Sequence, residues 1–341
     1  MRNFRCFALS LRQIVVASLA ALAISSHSGD LQAIPMPMTD LMLWLDAQDV
    51  DGDGNSGNDP IAGTPVMTWA DKSGNGYDAV QPTSGKRPLF QPLEFNGMPA
   101  LVYDGSDDLS PLPSTTIVNQ WSAFFVWNLK STTGGGYALT DHPFTFLDGT
   151  SNPSIGGAGT GLEIGVNGGG SANTLDIFGG FGNDTRGTLT NIAGTNYERM
   201  LDWTSASTHT TLMWHNGNDV PETITGTNNT PWSFRLGGGT SGNNFGVGGI
   251  EWVTASLFAH TNEAVAELIV YDAILSTNDR QLVEGILAWK WGLQGDLPTN
   301  HPYFNLNPNV EVAIPEPSTL ALLGLGVIGL AIRHRRRRTA A

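Results

Sequence analysis

The chain has 341 residues, enough for one large domain or two ordinary ones, and a single cysteine, Cys6. Eight of its basic residues, Arg2, Arg5, Arg12, Arg333, Arg335, Arg336, Arg337 and Arg338, sit in the two ends, so residues 34–314 carry 9 Lys+Arg against 29 Asp+Glu, a net charge of −20. A surface of that sign repels nucleic acid and anionic lipid, and with Cys6 near the N-terminus no disulfide is available to the remainder.

The elements follow in chain order. Residues 1–33 open with Arg2, Arg5 and Arg12, continue through an apolar stretch from Ile14 to Ile24, and end in small residues. That is the layout of a secretory signal peptide, removed by signal peptidase. Cleavage is expected after Ala33, with Ser26 or Ser28 as alternative positions. A retained membrane anchor is the competing reading, but the stretch is short of the roughly 20 residues that span a bilayer.

Within a domain expected over residues 34–304, short apolar segments between residues 40 and 272 alternate with Gly, Asn, Asp and Pro clusters, the spacing of antiparallel strands. Strands are expected at 41–46, 66–70, 100–103, 123–129, 144–147, 162–166, 174–178, 199–205, 210–215, 233–236, 251–259 and 266–271. In Thr210–His215 the alternation puts Leu212 and Trp214 on one face. The 42 glycines agree with many turns.

Between the first two strands, Asp49-Val50-Asp51-Gly52-Asp53-Gly54-Asn55 sets oxygen ligands at alternate positions, with glycines that let the chain wrap a hard cation. The run resembles the first half of an EF-type loop, but Pro60 stands where that loop has its bidentate glutamate. A calcium site on Asp49, Asp51, Asp53, Asn55 and Asp59 is one reading, with Asn58 or Asp46 as further donors. A mobile acidic turn is the other. Asp71-Lys72-Ser73-Gly74-Asn75-Gly76 reads as a hydrogen-bonded turn that positions Trp69.

One helix is expected near the end. Ser276 is an N-cap, Asp279 suits the first turn, and Leu282, Val283, Ile286, Leu287 and Trp291 recur at helical spacing before Gly292 stops it. Its apolar stripe, with Trp289 and Trp291, is expected to cap a sheet. Residues 305–314 read as a linker.

Residues 315–341 hold Pro315-Glu316-Pro317, an apolar run from Leu320 to Ile332, and the arginines Arg333, Arg335, Arg336, Arg337 and Arg338. This order resembles the PEP-CTERM sorting signal of Gram-negative bacteria. The resemblance implies transient membrane insertion, processing near Pro315–Pro317 by the membrane protease exosortase, and delivery to the cell surface or extracellular matrix. An ordinary retained anchor would use the same residues.

The middle of the chain resembles the laminin-G-like, or concanavalin A-like, domains of bacterial surface proteins. The resemblance rests on Leu43-Trp44-Leu45-Asp46-Ala47, Thr68-Trp69-Ala70-Asp71, Pro99–Asp108, and above all Ala266–Asp272 with Val283–Leu293 and His301-Pro302-Tyr303. It implies an all-β fold, a two-sheet antiparallel jelly-roll sandwich with one capping helix, flanked by hydrophobic targeting helices at each end, and loops that often bind glycans or calcium.

Catalytic patterns are absent from the sequence. No Glu-x-Asp-x-x-Glu run places acid and nucleophile on one face, and Glu263 and Glu267 are expected around a strand start. No Gly-x-Ser-x-Gly, His-Glu-x-x-His or phosphate loop occurs. His301 is expected to pack rather than ligate. Trp121, Trp203, Trp232 and Trp252 are candidates for stacking on a sugar, although core burial is the commoner fate of an indole. The leading expectation is a non-catalytic surface or matrix protein that binds a polysaccharide or another envelope component and no nucleic acid. A purely structural or adhesive matrix protein and a secreted glycoside hydrolase are the alternatives.

Overall fold

The computed structural model describes residues 35–111 except 56, residues 262–309, and between them 117–118, 120–131, 141–147, 161–166, 174–179, 185–190, 197–205, 211–219, 222–224, 234–235, 245–247, 249–251 and 258–260. The expected signal segment and the tail from residue 310 lie outside the described residues. Residues 36–307 form one compact unit.

The larger sheet contains β1 (Leu41–Asp46), β2 (Leu89–Phe95), β3 (Met98–Asp104), β4 (Trp121–Ser131), β5 (Tyr197–Ser205), β6 (Thr211–His215), β7 (Asn218–Asp219) and β8 (Asn262–Tyr271). Its spatial order is β7-β6-β5-β4-β8-β3-β2. The central strand, β8, pairs along its whole length with β4. On its other side it pairs with β3 over Asn262–Val265 and with β1 over Glu267–Tyr271. Nine of its ten residues are buried, which is why its sequence reads as a near-continuous apolar run interrupted by two glutamates.

A second sheet of six strands runs in the order Glu222–Ile224, Thr185–Thr190, Thr174–Gly179, Gly161–Val166, Asp141–Leu147, Phe245–Val247. Every strand pairing described is antiparallel. Two antiparallel sheets of this size are consistent with a β-sandwich.

Helix α1 (Thr277–Lys290) is the one α-helix among the described residues. The Ser276 hydroxyl accepts from the Asp279 backbone N–H at 3.2 Å and donates to the Asp279 carboxylate at 2.7 Å, so the cap is reciprocal. At the other end Gly292 adopts φ +73°, and the Leu293 N–H reaches back to the Ala288 carbonyl at 2.7 Å. Val283, Leu287, Ala288 and Trp291 enter the hydrophobic core with Leu43, Phe95 and Leu268. Trp291 meets Phe95 edge-to-face with ring centroids 5.7 Å apart. No described helix is long and apolar enough to cross a membrane.

Several expectations change. Of the strand expected over 251–259, the described residues belong to Gly249–Glu251 and Phe258–His260, which pair with each other, and 252–257 lie outside the described residues. Strand β2 was not expected because Pro92 interrupts it. It lies at the sheet edge and its register shifts between Gln91 and Phe95, where a residue without N–H is tolerated. Leu212 is exposed and Trp214 only half-buried, so the alternation in β6 marks no core face there. Glu263 and Glu267 lie inside β8, because that strand begins at Asn262 rather than Ala266.

Candidate functional site

The acidic loop leaves β1 and turns back at once. Asp49 is buried while Asp51, Asp53 and Asn55 are exposed, and the carboxylate oxygens of Asp49, Asp51 and Asp53 lie within 4.8 Å of one another. Gly52 and Gly54 take φ +73° and +82°, a backbone that other residues rarely adopt. Asp49 accepts from the Gly54 N–H and pairs with Lys72 Nζ at 2.8 Å. The Asn58 side-chain amide donates to both Asp51 and Asp53, at 3.1 and 2.7 Å. Asn55 uses its Oδ1 to accept from Gly57 N–H.

Asp59 is placed differently. Its carboxylate accepts the Val50 N–H at 2.8 Å and closes the loop instead of joining the three-oxygen cluster. Burial raises the Asp59 carboxyl above its ordinary range, opposed by the Val50 N–H, and the charges of Asp51 and Asp49 raise it further. That repulsion reports the negative potential a hard cation would relieve.

The next loop is structural. The Asp71 carboxylate accepts from the backbone N–H groups of Trp44, Ser73 and Tyr77 and from the Ser73 hydroxyl. Asn75 Nδ2 and the Ser73 hydroxyl donate to the carbonyls of Leu41 and Met42, blunting the outer edge of β1. Trp69 is fully buried and donates to the Asp46 carbonyl at 3.1 Å.

Beneath these loops lies a buried charge network that the sequence did not reveal. Asp46 and Glu267 are direct cross-strand partners between β1 and β8, and both are buried. Lys290, the last residue of α1, places Nζ 2.8 Å from Asp46 Oδ2 and 2.8 Å from Glu267 Oε2. Lys72 Nζ reaches the same Asp46 oxygen at 2.9 Å. The Gln48 N–H donates to Asp46 Oδ1 at 3.0 Å. Two indoles hold Glu267: Trp44 Nε1 donates to Oε1 at 2.6 Å and Trp291 Nε1 donates to Oε2.

The end of the helix is itself fixed. At the tip of the β2–β3 hairpin, Asn96 and Gly97 take φ 50° and 79°, and Asn96 Nδ2 donates to the Trp291 carbonyl at 2.8 Å. Burial raises the Glu267 carboxyl above its ordinary range; Lys290 offsets part of this and Asp46 adds to it. For Asp46, burial pushes the same way, but Lys290 and Lys72 together hold it below the usual value.

A second buried carboxylate, Glu284 on α1, is bound by Arg280 one turn earlier and by His301 Nε2 at 2.8 Å. The Tyr303 N–H donates to His301 Nδ1 at 3.3 Å, so Nε2 carries the proton given to Glu284. Arg280 stacks 3.8 Å over Trp214. His301 therefore packs as expected. Trp121 is fully buried and offers no stacking face; the side chains of Trp203, Trp232 and Trp252 lie outside the described residues.

The PEP-CTERM protein-sorting motif matches residues 313–337, a span holding Pro315, Glu316, Pro317, Arg333, Arg335, Arg336 and Arg337, with Arg338 one residue beyond. The chain carries a PEP-CTERM sorting motif. That motif is the signal exosortase recognises, and it indicates export and surface association in Gram-negative bacteria. No curated protein matches the chain. Among solved structures, domain 4 of the arabinanase AbnA from Geobacillus stearothermophilus, in complex with arabinotriose, is 15% identical over 70% of this chain and 96% of that one, with a TM-score of 0.43. A Trypanosoma rangeli sialidase is 12% identical over 80% of this chain and 38% of that one, with a TM-score of 0.39. The binding domain of Botulinum neurotoxin DC is 12% identical over 72% and 50%, with a TM-score of 0.38.

Proposed function

We propose that this is a PEP-CTERM surface or matrix protein that acts by binding rather than catalysis, presenting a jelly-roll sandwich to a polysaccharide or another envelope component. The sorting motif at residues 313–337 carries the reading. The leader at 1–33 enters the export pathway, the tail at 315–341 inserts transiently, exosortase acts near Pro315–Pro317, and the domain is released outside the cell. The chemistry of the described carboxylates supports the non-catalytic part. Among the described residues, Asp46, Glu267 and Glu284 are each held by cations or indoles inside the fold.

Within this reading the acidic loop holds a calcium ion. Three carboxylates of the hard-oxygen type converge, and their repulsion falls when a divalent cation enters. Asp49 would give up Lys72, which keeps Asp46 as its partner.

The purely structural or adhesive role is the second reading, and it is favoured by the fate of the described indoles. Trp69, Trp121, Trp127 and Trp291 are buried, Trp44 and Trp289 are half-buried with their N–H groups committed to Glu267 and to the Tyr303 carbonyl, and half-buried Trp214 has Arg280 stacked over its ring. Protein recovered from the surface of its host and applied to a glycan array separates the two. Saturable binding to a defined glycan class supports the first, and no binding together with loss of matrix cohesion in a deletion strain supports the second. Intact mass of the same surface form tests the export route: a species lacking the residues after the Pro315–Pro317 segment is expected, and one still ending in Ala341 refutes processing.

A further inference from the structure

We propose that Lys290 and Asp46 condense into an intramolecular amide, with Glu267 as the group that carries the protons. The three side chains converge in the buried network. Lys290 Nζ lies 2.8 Å from one carboxylate oxygen of Asp46 and 2.8 Å from one of Glu267. Asp46 and Glu267 are 3% and 0% exposed, so the carboxyl side of the bond that would form is shielded from water. An amine and a carboxyl held this close react as one molecule, which removes the entropic barrier that keeps the same groups apart in solution.

The step balances without any other reagent. The Lys290 nitrogen, once it has given a proton to Glu267, attacks Cγ of Asp46 and forms the C–N bond. The Gln48 N–H, 3.0 Å from Asp46 Oδ1, steadies the charge that develops on that oxygen. Lys72 Nζ stands 2.9 Å from Oδ2, the oxygen that leaves, and stabilises it as the C–O bond breaks. Glu267 returns its proton to that oxygen, a second proton follows from the nitrogen, and one water departs. An ammonium and a carboxylate become a neutral amide, so two charges vanish from a site where each is costly to keep. Glu267 suits the shuttle because Trp44 and Trp291 fix both of its oxygens and burial favours its protonated form.

The consequence is mechanical. Asp46 ends the first strand and Lys290 ends the helix, so the amide closes residues 46–290 into one covalent loop in a chain whose single cysteine is Cys6. Tension entering before Asp46 and leaving after Lys290 would pass through the bond and bypass the two sheets. Such a tie suits a protein displayed outside the cell, although the chemistry does not depend on what it binds.

Peptide mapping of the full-length chain by tandem mass spectrometry tests this. A branched peptide joining the Asp46 and Lys290 segments, one water lighter than their sum, is expected in the wild type. Lys290→Arg keeps the positive charge but cannot form the amide, and the branched species should disappear while the circular dichroism spectrum stays that of a β protein. Glu267→Gln should leave both segments linear at their full masses. Two ordinary linear peptides in a folded wild type, or a branch that uses Lys72, would overturn the assignment. A water loss confined to Asp51-Gly52 or Asp53-Gly54, from cyclisation of an aspartyl-glycine step, counts against it in the same way.

Discussion

Asp46 and Glu267 face each other across adjacent strands, an arrangement that buried like charges do not tolerate without a cation between them. Lys290 supplies it, and the two carboxyls respond in opposite directions. A carboxyl raised by burial contributes stability that is present below its unfolded value and lost as pH rises through its folded one. Glu267 is such a group. In the Lys290→Arg background, which keeps the cation without the amide, the stability of Glu267→Gln relative to its parent is therefore expected to improve as pH rises from about 4 toward 8 in urea titrations. A gap that widens over that window contradicts the raised carboxyl. Gly285 offers a simpler test. A Cβ there would lie 2.5–2.8 Å from three Tyr303 side-chain atoms, so Gly285→Ala is expected to cost about 1–3 kcal/mol by overpacking, read as a lowered urea midpoint. None of this was legible from local sequence. Trp44 lies 223 residues from Glu267, and a glutamate in an apolar strand announces a buried partner without naming it.

Elements were more legible than their contacts. The N-cap, the apolar stripe and the Gly292 stop of α1 are local signals, and each appears where the sequence placed it. Ser276→Ala removes the hydroxyl that makes both bonds of the cap and is expected to lower stability by about 1 kcal/mol, measured by chemical denaturation. Strand β1 was also legible at both ends, because its apolar run is uninterrupted from Leu41 to Leu45 and closes on Asp46. Strand β2 was hidden by Pro92, and Thr185–Thr190 by its glycine and by having Leu189 as its one large apolar residue. Edge position lets β2 keep its proline, and it is set by the order of strands in the sheet, whereas Thr185–Thr190 is defined by the neighbours it pairs with on both sides. The helix end shows the same dependence. Asn96, almost two hundred residues earlier, caps the Trp291 carbonyl, so the hairpin and the helix fix Lys290 together.

The whole molecule is a strongly acidic body with no cysteine beyond Cys6, and its charge distribution gives the last prediction. A net charge of −20 over residues 34–314 repels itself, so added monovalent salt should raise the thermal midpoint modestly by screening. A calcium ion in the acidic loop would do more at equal ionic strength, because it binds the folded arrangement of Asp49, Asp51 and Asp53 and not the open chain. At a hundred times its dissociation constant such an ion stabilises by about 2.7 kcal/mol, which in a domain of this size shifts the midpoint by several degrees at about 2–4 °C per kcal/mol. The alternating Asp-x-Asp-x-Asp pattern was legible in the sequence; the claim of Lys72 on Asp49 and the diversion of Asp59 to the Val50 N–H were not, since both depend on how the loop returns to the sheet. Scanning calorimetry in calcium against chelator, at matched ionic strength, reads the effect directly. Asp51→Asn with Asp53→Asn should abolish the calcium increment while keeping the response to monovalent salt. An equal midpoint in calcium and chelator would mean that the three carboxylates form a solvated turn held by Asn58 and Lys72 alone.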